Sequence, residues 1–316
     1  MMRLLRLEAK LQRFEFGTIV MGTVLLAAAG FAFVYILGSY GLAPECLVLD
    51  DLPDECDFRL VNQFNTSSRL GDVLFPAIGI WPWIVGILLG VGLVARDVEH
   101  RQAPLIWTLT FSRGTWLLRR ALILIVVVAA LMTIPAAVAV LMQAAERLGV
   151  NPLASFEHHQ ARGMLLVARS ILAFTVATFV GAILGRVVPG LIVSAVAGAV
   201  LFVAATASFP YLMPAAELPV GERGVSDAGA VIFGSHYRLS GGESFASYDA
   251  LVASAPVQVG TAQFVDWFSR NVTQIPVGYP GRAALEVGLR EAALTLVLAG
   301  VALAGAVRVI ETRKPY

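Results

Sequence analysis

Long apolar runs alternate with short polar connections along most of this chain. A helix needs about 20 apolar residues to cross roughly 30 Å of hydrocarbon, and irregular backbone cannot face lipid there. Five runs meet that length cleanly: residues 16–40, 73–94, 121–143, 163–184 (interrupted by Arg169) and 189–210. A sixth, 292–309, is shorter but continues a helical stretch that begins near Ala283. The pattern predicts an all-α polytopic membrane protein with about six transmembrane helices.

The polar stretches divide the rest. Leu4, Leu7, Leu11 and Phe14 recur at helical spacing among Arg3, Arg6, Lys10 and Arg13, so residues 1–15 read as a cytoplasmic helix lying in the membrane interface. Residues 211–282 are rich in Pro, Gly and Ser and carry Phe245, Tyr248, Phe264, Trp267 and Phe268. They predict a small, irregular extracytoplasmic subdomain with its own minor core. The expected organisation is therefore 1–15, the interface helix; 16–210, spans one to five with a cytoplasmic docking loop at 95–120; 211–282, the subdomain; and 283–316, the sixth span and a cytoplasmic tail.

Composition agrees with the pattern, since 58% of the 316 residues are apolar and 14% charged, against about 25% charged in a soluble domain. The net charge of +1 matters less than how the basic residues are shared among the loops. With the N-terminus inside, the cytoplasmic pieces hold Arg3, Arg6, Lys10, Arg13, Arg96, Arg101, Arg113, Arg119, Arg120, Arg186, Arg308, Arg313 and Lys314, which is 13 of the 23 basic residues. The first outer loop instead carries Glu45, Asp50, Asp51, Asp54, Glu55, Asp57 and Asp72 against Arg59 and Arg69. Positive-inside bias predicts both ends in the cytoplasm. Cys46 and Cys56 are the two cysteines and share that acidic outer loop, where a disulfide and two free thiols are both open readings.

Motifs for chemistry within the chain are few. Lys10 follows Ala9 and Lys314 follows Arg313, so no Gly-Lys-Ser/Thr phosphate loop is present in these residues. A Gly-x-Ser-x-Gly elbow and a His-Glu-x-x-His site are missing as well. His158 and His159, beside Glu157, read as solvated loop residues, because adjacent histidines project in different directions and zinc needs three or four convergent donors. No catalytic residue, metal site or bound cofactor is expected. Arg169 lies inside the fourth run, where a charge must snorkel or find a carboxylate. Glu286, Arg290 and Glu291 near the start of the sixth run offer an ion pair, read either as a polar gate at the outer end of a pathway or as a structural pair.

The longest inner loop, residues 93–120, mixes Arg96, Asp97, Glu99, Arg101 and Arg113 with Leu105, Ile106, Trp107, Leu109 and Phe111. That mixture suits a short helix docking into a groove on a cytoplasmic partner. Leu93, Val94, Ala95, Arg96, Asp97 and Glu99, then Trp107, Thr108, Ser112 and Arg113, then Trp116, Leu117 and Arg120 follow in an order and spacing that resemble the permeases of drug- and polysaccharide-exporter ABC transporters, especially an actinobacterial set. A second patch, Arg162, Gly163, Gly181, Gly185, Arg186 and Pro189, resembles the same family around its fourth span. Gln102 and Ala103 stand where that family has Gly-Thr, and Leu109 where it has Gln.

The resemblance implies a permease in the bacterial plasma membrane that pairs with a second permease chain and with a separate ABC-type ATP-binding subunit. ATP and Mg would be held by that subunit and nucleic acid by neither. Arg96, Asp97, Glu99, Arg101, Trp107, Ser112, Arg113 and Trp116 would form the coupling surface, with Trp107 as its apolar anchor. Rival readings are a non-catalytic scaffold or regulator, an intramembrane lipid-modifying enzyme, and an ion-driven transporter. The last is disfavoured because no Asp or Glu sits centrally in the first five runs.

Overall fold

The computed structural model describes residues 13–47, 56–100, 112–221, 224–225, 227 and 229–313. The expected interface helix falls almost entirely outside the described residues. Among those described, six segments are long and apolar enough to cross a membrane, and they carry helices α1 (Arg13–Ser39), α3 (Gly71–Glu99), α4 (Arg113–Glu146), α5 (Gly163–Leu184), α6 (Val187–Ser208) and α9 (Ala284–Thr312). A short amphipathic helix, α2 (Phe58–Ser68), precedes α3. Two further short helices, α7 (Tyr248–Ser254) and α8 (Ala262–Asn271), lie in the connection between α6 and α9. The chain forms two compact units, one of Met1–Gly149, Gln160–Ala207 and Gly288–Tyr316, the other of Val150–His159 and Ser208–Val287.

In the first unit, α3 and α5 form the centre. Two-thirds of the apolar window of each is buried, 67% in both, against 17% for α6 and 22% for α9. Apolar side chains gain little by leaving lipid for one another, so helices here associate where small residues let backbones approach. A Cβ on Gly86 would stand 2.6 Å from both Ser170 O and Phe174 N, and one on Gly90 2.8 Å from the Ala177 Cβ. Across the same seam the Thr178 hydroxyl lies 2.8 Å from Phe174 O and 3.3 Å from Gly90 O.

α6 repeats the device. Its buried residues are Gly190, Ser194 and Gly198, spaced one turn apart, and Cβ atoms on the two glycines would meet Val91 at 2.9 Å and Ile87 at 3.1 Å on α3. The opposite face, with Val188, Ile192, Val196, Val200 and Val203, is open. Small residues point inward and branched ones outward, which is the arrangement lipid favours. α1 joins α3 through the Trp81 indole N–H, which donates to Thr23 Oγ1 at 3.0 Å.

α2 is capped by Asp57, whose carboxylate accepts from Arg59 N at 2.8 Å. It buries Val61 and Phe64, with the Tyr40 ring edge-on to Phe64 at 6.2 Å. A disulfide between Cys46 and Cys56, with Cα atoms 5.6 Å apart, closes the chain between α1 and α2.

The second unit is built differently. Sequence reading predicts an irregular subdomain, yet β1 (Ala216–Glu217), β6 (Val272–Tyr279), β4 (Val231–Leu239) and β5 (Ser244–Phe245) form an antiparallel sheet in that order. β2 (Val220–Gly221) and β3 (Gly224–Val225) pair separately. His236 stands opposite Ile275, and the register shifts between Ile232 and Gly234. Tyr237, Tyr248, Phe264, Trp267 and Phe268 form one aromatic cluster, in which Tyr237 of β4 is a residue that composition did not single out, while Phe245 of β5 pairs with Tyr237 along the strands. A second cluster gathers Phe156, His159, Phe209, Phe233 and Tyr279. His159 is therefore packed among rings, 5.2 Å from Phe209, and not a freely solvated loop residue. The Tyr279 hydroxyl accepts from Met213 N at 3.0 Å and lies 2.6 Å from Met213 O.

The α3–α5 seam is the part of the bundle with least room. Gly90→Val is expected to lower the thermal stability of the detergent-purified chain by about 1–3 kcal/mol or more, because the added methyls meet backbone that cannot give way. Gly17→Ala, where a Cβ meets nothing within 4 Å, is the matched control and is expected to be neutral. Fluorescence-monitored melting of both variants checks this.

Candidate functional site

Two sets of charged residues stand out in the first unit, one at an end of the spans and one inside them. At the end where α3 finishes and α4 begins, charged side chains tie neighbouring helices together. Arg96, in the last turn of α3, pairs with Glu15 in the first turn of α1. Asp97 is 8% exposed and accepts from Arg120 Nη1 of α4 at 2.5 Å. The Arg120 guanidinium also lies 4.8 Å from the centre of the Trp116 ring. Glu99 Oε2 accepts from the backbone N–H of Val187, the first residue of α6, at 2.9 Å.

The other flank behaves in the same way. Ser112 caps α4, its hydroxyl accepting from Thr115 N at 3.3 Å. Arg113 Nη1 donates to Arg313 O, just past the end of α9, at 2.6 Å. Arg313 Nη1 in turn donates to Ala182 O, in the last turn of α5, at 2.5 Å. α5 ends at Gly185 in the left-handed region, with φ +63°, and a Cβ there would stand 2.5 Å from Arg313 Nη2. Glycine is needed twice over, for the backbone conformation and for the approach of the guanidinium. Glu15 and Glu99 thus face the N-termini of α1 and α6, and Arg113 and Arg313 meet carbonyls at the C-terminal ends of α9 and α5, contacts the helix dipole favours.

Sequence reasoning assigned Arg96, Asp97, Glu99, Arg113 and Trp116 to a partner surface; the structure brings all five together but engages each within the bundle. Arg101 and Trp107 lie outside the described residues. Glu15 and Arg313, which complete the set, were not singled out. The signal available was position, since each is an ionisable residue close to the end of an apolar run. Gly181 and Gly185, the second resembling patch, act in packing and capping, with a Gly181 Cβ 3.0 Å from Val91 O.

Inside the spans, Arg169 of α5 and Glu291 of α9 form an ion pair with Nη2 to Oε1 at 2.6 Å. They are 1% and 3% exposed. Arg169 Nη1 also reaches Gln160 O at 3.4 Å, while its Nε has no hydrogen-bond partner. Of the three charged residues offered at the start of the sixth span, Glu291 is the one that meets Arg169. Glu286 and Arg290 lie on the exposed side of α9. A helix carries Glu286, Arg290 and Glu291 at different angles, and only the last shares the inward stripe with Val287, Thr295 and Ala299. Among the described residues, no group of His, Cys, Asp and Glu is placed to hold a metal ion.

Removing one partner strands the other charge in a medium that cannot solvate it. Arg169→Met and Glu291→Leu are each expected to cost about 3–5 kcal/mol, and the double variant to recover most of the loss. Chemical denaturation of the four proteins in one detergent checks the pairing, and additive losses would refute it.

Comparison with curated proteins and with solved structures finds no match. A family model described as "ABC-2 membrane transporter related" matches residues 16–209, which is more than half the chain and takes in α1 to α6 with the loop between α3 and α4. The chain is thus a multi-pass membrane protein that belongs to the ABC-2 membrane transporter related family, a family of transporter permeases.

Proposed function

We propose that this chain is the membrane-spanning subunit of an ATP-driven exporter in a bacterial plasma membrane, with both ends in the cytoplasm. It lines the pathway together with a second permease chain and takes a separate ABC-type ATP-binding subunit on the loop between α3 and α4. ATP and Mg belong to that subunit. The observation that carries the reading is the family match, which runs through this loop in a chain whose own 316 residues hold no phosphate-loop lysine. An ion gradient is the weaker energy source, because the buried carboxylates among the described residues, Asp97 and Glu291, are each paired with an arginine.

Leu105, Ile106, Trp107 and Phe111 make the loop too apolar to be merely solvated, and Arg101 gives it a charge to orient a partner. Trp107 is the anchor in this reading. The Arg169–Glu291 pair, joining α5 to α9 near the start of α5, acts as a gate that opens when those helices part.

Co-expression with the ABC-type ATPase encoded beside this chain, followed by purification through a tag on this chain, tests the proposal. The ATPase is expected to copurify and hydrolyse ATP, and the double variant Arg101→Glu, Trp107→Ala to weaken its retention ~30-fold, as loss of an interface tryptophan does. A wild-type chain that retains no ATPase would move the scaffold reading ahead.

A further inference from the structure

The flanks of the α3–α4 loop are bonded to every other span. From the end of α3, Arg96 reaches Glu15 of α1, Asp97 reaches Arg120 of α4, and Glu99 reaches the first N–H of α6. From the start of α4, Arg113 reaches the residue after α9, and that residue's side chain reaches the last turn of α5. The geometry points to Arg96, Asp97, Glu99, Arg113 and Arg313 as positioning residues that hand a displacement of the loop separately to α1, α4, α6, α9 and α5. They are not the surface the ATPase touches. This inference rests on the loop being the docking site.

Three observations support it. Asp97 and Arg120 have side chains only 11% and 12% exposed, so a partner would have to break their pair to reach either. The contacts are directional and sit at helix ends, where a small push has the longest lever. Along its length α6 is held to α3 by small-residue contact that permits sliding. α6 meets α3 through Gly190 and Gly198, and the buried Ser194 hydroxyl between them makes no hydrogen bond, so Glu99 supplies a directional tie at the end of a slippery face.

The assignment also explains why the charges differ along the loop. Glu99 is acidic because it caps a helix N-terminus, whereas Arg113 and Arg313 are basic because they meet carbonyls at helix C-termini. A surface selected only for an ATPase would carry no such relation to the helix ends of its own chain.

The test uses the full chain with its copurified ATPase in lipid nanodiscs, read by peptide-resolved hydrogen exchange with and without ATP. In wild type, ATP is expected to change exchange at the ends of all six spans nearest the loop. Glu99→Leu is expected to abolish that response at the start of α6 while α1 and α4 keep theirs; Glu99→Gln, which still offers an oxygen to Val187 N–H, restores it. Arg113→Met is expected to abolish the response at the ends of α9 and α5 and to spare α6. Asp97→Arg alone silences α4, and the exchange Asp97→Arg with Arg120→Asp restores it, which keeps the test decisive if a single variant folds poorly. ATPase retention is unchanged throughout. Variants that release the ATPase, or that keep it with a wild-type response at every span, overturn the assignment. A wild-type chain that retains no ATPase overturns the docking reading itself, and this inference with it.

Discussion

The close approach of α3 and α5 along Gly86 and Gly90 is the contact on which the rest of the bundle depends. In water, two apolar helices would be driven together by burial alone. In lipid that gain is small, and what remains is dispersion at short range and the few hydrogen bonds that a short range allows. Removing Cβ atoms from one side of the seam brings Thr178 within reach of Gly90 O and sets both helices at a fixed register. That register determines how deep Arg169 lies on α5 and where Arg96, Asp97 and Glu99 emerge from the end of α3.

Charge is then placed by the same scarcity of partners. Inside the spans one guanidinium and one carboxylate meet, and each is buried because the other is there. At the helix ends, where water and headgroups begin, the charges are more numerous, and they answer either one another or a helix terminus. Unpaired N–H groups at the start of α6 attract Glu99, and unpaired carbonyls at the ends of α5 and α9 attract Arg313 and Arg113. The family's recurrent residues at these places therefore have a physical role within the chain as well as any role toward a partner.

The second unit follows the rules of a water-soluble fold. Its sheet pairs strands far apart in the chain, its helices α7 and α8 begin with Ser247 and Thr261 caps, and its aromatic rings collect in two clusters. Asp227 ties two turns together by accepting from Gly229 N at 3.0 Å and Gly281 N at 2.7 Å. Among the described residues of the bundle such bonds are confined to helix ends, whereas here they are required along irregular backbone.

The six spans and the inside-positive bias were determined by the sequence alone, because crossing hydrocarbon is a local demand on length and polarity that each segment meets by itself, whereas α3, α4 and α9 run on past the apolar runs that mark them. The resemblance around residues 93–120 and 162–189 was legible for a similar reason, since it rests on spacing along the chain. Partnership was not. Whether Arg169 takes Glu286 or Glu291, whether Asp97 faces outward or toward Arg120, and which helix Gly86 admits all depend on rotation and register between segments that one-dimensional pattern leaves free. The sheet escaped notice because β4 and β6 meet across more than 30 residues and carry Gly234, Pro276 and Gly278, so their alternation is interrupted where it would have been read. Only tertiary structure decided these pairings, because each is a contact between distant residues whose energy does not exist until the helices and strands are packed.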